Sequence, residues 1–200
     1  ASLVAYERGR FHQALELSQE ALSAFRGSDK SRYVGKLLNT RGYLLLRADP
    51  PRPAEALAAL TEALDLVAEN ADPVDKAYAL TELCYAHLAL GHPGQAVQAA
   101  EEARRLLGPT TQLEYARAMT ALAVALTARG DHDQARGLFT EAATILDSMG
   151  AGRQAARTWV ELAHALRDSG HEREALAAYD SAVRAVNLDE PRWHDSRTRG

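Results

Sequence analysis

The chain has 200 residues, 46% hydrophobic but only 6% aromatic, enough apolar material, mainly Ala and Leu, for one extended core or two small domains. Its net charge of −4 is spread over interspersed acids and bases, with no basic block to neutralise a phosphate backbone, so this segment by itself is a poor nucleic-acid binder. The single cysteine, Cys84, excludes an intrachain disulfide and a Cys-rich metal site and fits a reducing cytoplasm, and no apolar run approaches the ~20 residues of a membrane span.

In chain order, the first expected helix is entered in its middle. The sequence opens at Ala1 without an initiator Met, which reads as a piece trimmed from a longer protein. A pattern then recurs, with a small residue, an Ala five positions later, a larger apolar residue or small stand-in, and another Ala. It runs Gly9/Ala14/Ser18/Ala21, then Ala56/Leu60/Ala63, Gly91/Ala96/Ala100/Ala103, Gly130/Ala135/Phe139/Ala142 and Gly170/Ala175/Tyr179/Ala182. The step is roughly forty residues each time, the mark of a solenoid.

The pattern has a local physical basis. Each leading Gly ends a helix, because a residue without Cβ reaches the left-handed conformation at no steric cost. Asp131 is placed to cap the helix after Gly130. The Ala positions let two helix axes approach, and the larger residue between them fills the space beyond. The helix before each Gly carries its own stripe: Leu80, Leu83, Cys84 and His87; Met119, Leu122, Ala123 and Leu126; Trp159, Leu162, Ala163 and Leu166. In the second unit the turn is replaced by Asp49-Pro50-Pro51-Arg52-Pro53, which no helix crosses. The expected fold is therefore all-α, a right-handed superhelical solenoid of about five antiparallel helix-turn-helix repeats. Its units fall near 1–27, 31–70, 73–108, 111–149 and 151–188, followed by a tail, 189–200, that is disordered or a cap carrying Trp193.

These residues resemble the tetratricopeptide repeat, most closely in the last unit, Trp159, Leu162, Ala163, Leu166, Gly170, Ala175, Tyr179 and Ala182. The units are about five or six residues longer than the usual 34, and the terminal Pro is missing. The segments PPRPAEALAAL, GDHDQARGLF and RQAARTWVELAHALRDSGHEREALAAYDSAV also resemble the C-terminal sensor region of actinobacterial helix-turn-helix (XRE-type) transcription regulators. That resemblance implies a cytoplasmic sensor that binds a peptide or protein and reaches DNA only through a domain absent from this chain. The competing expectation is a static scaffold or a homodimer through the end repeats.

In stacked hairpins the first helix of each unit lines the concave wall. The positions turned toward it are Lys36, Asn39, Tyr43 and Arg47 in unit two; Tyr78, Thr81 and Tyr85 in unit three; Arg117 and Thr120 in unit four; Arg157, His164 and Arg167 in unit five. Tyr6 and Glu7 close the N-terminal end. Asn39 pairs a donor with an acceptor, suited to a peptide backbone. The tyrosines offer flat apolar area with a polar tip, and the basic row suits carboxylates. Each of these residues taken singly is better explained as a solvated helix face; the cluster of tyrosines beside a basic row is what points to a ligand groove. The Lys/Asn carboxylate clamp of chaperone-binding repeats is not met, since Asn39 stands where that clamp has Lys, and Tyr43 and Tyr85 where it has Asn.

No catalytic chemistry is expected. His92, His132 and His171 belong to successive turns, and His87 takes a core-edge position with one hydrogen bond. Adjacent residues in Asp131-His132-Asp133 point apart as a helix begins, so no metal site is read there. Cys84 sits in a small-residue slot without a base. No Gly-rich phosphate loop, His-Glu-x-x-His helix or nucleophile elbow occurs, and no metal or cofactor is expected.

Overall fold

The computed structural model describes residues 11–25, 31–66, 72–108 and 111–188. Tyr6, Glu7, Gly9 and the tail 189–200 lie outside the described residues, so the expectations placed on them do too.

Nine helices make up the described residues, without strands: α1 (Phe11–Phe25), α2 (Ser31–Leu46), α3 (Pro53–Leu66), α4 (Pro73–Ala89), α5 (Pro93–Leu106), α6 (Gln112–Arg129), α7 (His132–Ser148), α8 (Gly152–Asp168) and α9 (Glu172–Leu188). The expected breakpoints have the expected causes. Gly91, Gly130 and Gly170 carry φ of 76°, 97° and 83°, and so does Gly150, at 69°, after α7. At Gly130 the chain reverses while its N–H bonds Thr127 O at 3.1 Å and the Asp131 N–H bonds Leu126 O at 2.9 Å, satisfying the last carbonyls of α6. Pro53, Pro73 and Pro93 open α3, α4 and α5, where a missing N–H costs no helical hydrogen bond.

Asp131 behaves otherwise than expected. It stands at the N-cap of α7, yet its side chain makes no cap hydrogen bond; the carboxylate instead takes the Arg129 guanidinium. A nearby full charge outcompetes the partial charge of the helix end. A side-chain cap does form at Asp72, which accepts from Val74 N at 3.0 Å at the start of α4.

The helices pair in sequence, α2 with α3, α4 with α5, α6 with α7 and α8 with α9, and each pair packs on the next. The repeated Ala positions are where the pairs close: Ala56, Ala63, Ala96, Ala100, Ala103 and Ala142 are fully buried, with Phe139 between Ala135 and Ala142. Gly42 shows how tight the approach is, since a Cβ there would lie 2.5–3.0 Å from the Leu60 side chain of α3. Besides these pairings, α2 touches α4, α4 touches α6 and α6 touches α8. The first helices of successive pairs thus form one continuous wall, and its polar residues are brought together across the repeats.

Candidate functional site

One register position recurs along that wall as Gly42, Thr81, Thr120 and Thr158. The three threonines are buried, and each returns its hydroxyl to the carbonyl four residues back, Ala77 O at 2.8 Å, Ala116 O at 2.9 Å and Gln154 O at 3.1 Å. Thr120 and Thr158 lie 3.1 Å apart, so either hydroxyl can donate to the other in place of its own carbonyl, tying α6 to α8. Above this floor opens a cavity of about 70 Å³ lined by Arg47, Thr81, Glu82, Tyr85, Arg117, Thr120, Leu146, Gln154, Arg157 and Thr158. Six of the twelve residues expected in the groove share it: Arg47, Thr81, Tyr85, Arg117, Thr120 and Arg157.

The central residue was not anticipated. Glu82 is 1% exposed, and its carboxylate receives Arg47 from one repeat at 2.9 Å and faces Arg117 from the next at 3.8 Å. Burying that charge is tolerable because cations from both neighbours compensate it. Arg47 is held further by the Tyr43 carbonyl at 3.1 Å and lies over the Tyr43 ring, 3.7 Å from its centroid. Arg117 is looser, 5.3 Å above the Tyr78 ring. Arg157 engages no carboxylate among the described residues, and its side chain is exposed to the cavity mouth.

Burial and the nearby Glu82 carboxylate push the Tyr78 hydroxyl up to about 12, and burial drives Tyr85 higher still. Both phenols therefore stay protonated and available as donors at neutral pH.

The N-terminal stretch of the wall differs from expectation. Asn39 does not face an open groove: it is 5% exposed, with Nδ2 donating to Asp75 O of α4 at 3.3 Å, while its buried Oδ1 has no partner among the described residues. Lys36 pairs with Asp75 at 3.1 Å. Adjacent first helices come close enough there to consume their own polar groups. Thr81 and Thr120 are likewise floor rather than rim. In α8, His164 meets the Tyr179 ring of α9 edge-on at 5.9 Å, and Arg167 turns to its neighbour Asp168 at 3.1 Å. Neither lines the cavity.

The other candidate groups are structural. Cys84 is buried, its thiol directed at Ala121 O at 3.4 Å, and burial followed by the Glu82 charge raises it to about 12, which removes its nucleophilic form. His87 stands at the core edge as expected, but its buried Nδ1 has no hydrogen-bond partner among the described residues; burial and then His92, whose ring lies 6.1 Å away, lower its pKa. Among the described residues no group of three or more His, Cys, Asp or Glu is arranged to hold a metal ion, and no helix is long and apolar enough to cross a membrane.

Paired helices, glycines closing the first helices of the later pairs, and a polar wall across them define a tetratricopeptide-type repeat fold. Residues 81–150 match the family model of the tetratricopeptide repeat. No curated protein matches the sequence. Among solved structures, a Rap protein complexed with competence and sporulation factor superposes with a TM-score of 0.80 at 17% identity, covering 94% of this chain and 52% of that one. BtubC from P. vanneervenii gives 0.72 at 19% identity, covering 100% and 83%. YrrB, described as a tetratricopeptide protein with an unusual peptide-binding site, gives 0.53 at 17% identity, covering 92% and 82%. At these identities the similarity establishes the fold.

Proposed function

We propose that this chain is a peptide- or protein-binding repeat domain whose ligand lies along the wall of α4, α6 and α8. The observation that carries this reading is the cavity between Tyr85, Arg117 and Arg157, where polar groups from successive repeats converge and Arg157 engages no carboxylate among the described residues. Its size narrows the ligand. At about 70 Å³ it has room for a few waters or one small polar group, well short of the ~300–1,000 Å³ of sites that enclose a whole small molecule. An extended chain anchored by one group fits this better than a free effector. The peptide-binding site of YrrB gives the same fold a precedent for such a ligand, and the Rap protein carries a bound factor on it.

The finer reading is a sensor. Solenoid units contact mainly their neighbours, so a ligand bridging α6 and α8 biases their mutual angle, and small rotations add along the array. In the resembled regulators the change would pass to an attached DNA-binding domain. Selection from a random peptide library on the immobilised domain, followed by titration against wild type and Arg157→Ala, tests the binding reading. Enrichment of peptides that lose affinity for Arg157→Ala is expected; no enrichment, or peptides indifferent to that change, sinks it. Solution scattering with the selected peptide then separates sensor from scaffold, because only a sensor changes its dimensions. The scaffold reading has its own support in the exposed Leu176, Val183 and Val186 of α9, an apolar row at the last described helix. A concentration-dependent dimer abolished by Val183→Glu would favour it.

A further inference from the structure

We infer that the group recognised in the cavity is a single carboxylate, gripped between Arg117 and Arg157 and oriented by the Tyr85 hydroxyl. This deepens the peptide-binding reading and rests on it for the source of the carboxylate, an acidic side chain or a chain end. The argument begins with charge. Arg47, Arg117 and Arg157 line the cavity and one carboxylate, Glu82, lines it with them. Arg47 is spent: it holds Glu82 at 2.9 Å, donates to Tyr43 O and covers the Tyr43 ring. Arg117 lies 3.8 Å from the same carboxylate, beyond hydrogen-bonding distance, so most of its donors remain available. The Arg157 side chain makes no hydrogen bond or ion pair among the described residues, which leaves its donors to give.

Glu82 does two things here. Buried and anchored by Arg47, it cannot swing out to neutralise the rim, and it draws Arg117 inward over the cavity. What remains is an incompletely compensated pair of planar guanidinium groups on adjacent repeats. Two forks facing one small cavity match the two oxygens of a carboxylate. The floor of threonine hydroxyls is already committed to backbone carbonyls and to each other, so a larger oxyanion finds few further donors there.

The test reads the arginine side chains directly. Arginine Nε–H resonances of the whole domain are followed by NMR while propionate, propionamide or inorganic phosphate is added. Two peptides are added separately: acetyl-Gly-Ser-Gly with a free C-terminus, and acetyl-Gly-Glu-Gly-amide. Saturable shifts of Arg117 and Arg157 with propionate, none with propionamide, and no change at Arg136, which is paired with Glu174 at 2.8 Å, are expected. The peptide that reproduces the shifts identifies the source. Arg157→Ala should weaken propionate binding roughly tenfold, the worth of one charge-assisted hydrogen bond, and Arg157→Lys should recover part of it. Uniform unsaturable shifts at all arginines, or tighter binding of phosphate than of propionate, overturn the assignment. Library peptides without acidic preference, together with silent propionate, sink the carboxylate and leave the peptide reading standing. Saturable propionate shifts with no peptide enriched do the reverse.

Discussion

The two halves of the inner wall carry similar side chains and use them differently. Between α2 and α4, Lys36 meets Asp75, Asn39 bonds Asp75 O and Arg47 is locked on Glu82. Between α6 and α8, the Thr120–Thr158 hydroxyl pair is the contact beneath a cavity into which Arg117 and Arg157 project with donors to spare. A polar residue on a repeat wall is thus a ligand candidate only after its neighbours in the adjoining repeat have taken what they need. In the first half they take nearly everything, and those residues are joints. In the second they leave two cations.

The strongest way to break this contrast is at the joint. Glu82→Ala leaves Arg47 with no buried counter-charge and should cost about 3 kcal/mol, a fall in Tm of roughly 6–12 °C for a chain of this size. A loss under about 1 kcal/mol in chemical denaturation would show that the network is not structural.

The pH profile of stability comes next. Cys84 and Tyr78 have folded pKa values raised to about 12 from ordinary values of 9.0 and 10.0. The neutral forms are favoured by the fold, so their contribution is complete below pH 9 and falls as pH rises from there toward 12. His87 has the opposite sign: its folded pKa is lowered from 6.5, so stability is complete above that value and declines on acidification through the folded pKa. Thermal unfolding from pH 5 to 11 checks both limbs. His87→Gln should flatten the acid limb and leave the alkaline one unchanged.

Smaller effects separate tight from loose packing. Gly42→Ala places a Cβ against the buried Leu60 side chain and should destabilise by about 1–2 kcal/mol despite the better helix propensity of Ala. Gly137→Ala, on the open side of α7 with nothing within 4 Å, should stabilise by up to about 1 kcal/mol. Equal outcomes in paired urea melts would refute the close approach of α2 and α3.

Much of this fold is legible in the sequence because its determinants are local. A glycine that ends a helix, and an Ala–Phe–Ala spacing that buries one face, need no knowledge of distant residues, and Gly130, Ala135, Phe139 and Ala142 behave as their spacing predicts. The site is only half legible. Tyr85, Arg117 and Arg157 follow from counting around a helix. The fate of Asn39 depends on how near α4 comes, which periodicity does not encode. Glu82 escapes a rule that assigns charged residues to solvent. It nevertheless leaves a signal, as the sole acid between Asp75 and Glu101, within an apolar helix, with Arg47 just past the end of α2 and Arg117 in α6. His164 and Arg167 miss the cavity because of packing that periodicity does not encode: His164 meets the Tyr179 ring of α9 and Arg167 turns to Asp168.

Affinity and Tm measured together for Arg157→Ala and Asn39→Ala, with a library-selected peptide, bear most directly on the division of the wall. The expected result is that Arg157→Ala loses the peptide at unchanged Tm, while Asn39→Ala keeps the peptide and melts earlier. Peptide lost in Asn39→Ala at full stability, with Arg157→Ala still binding, would contradict it.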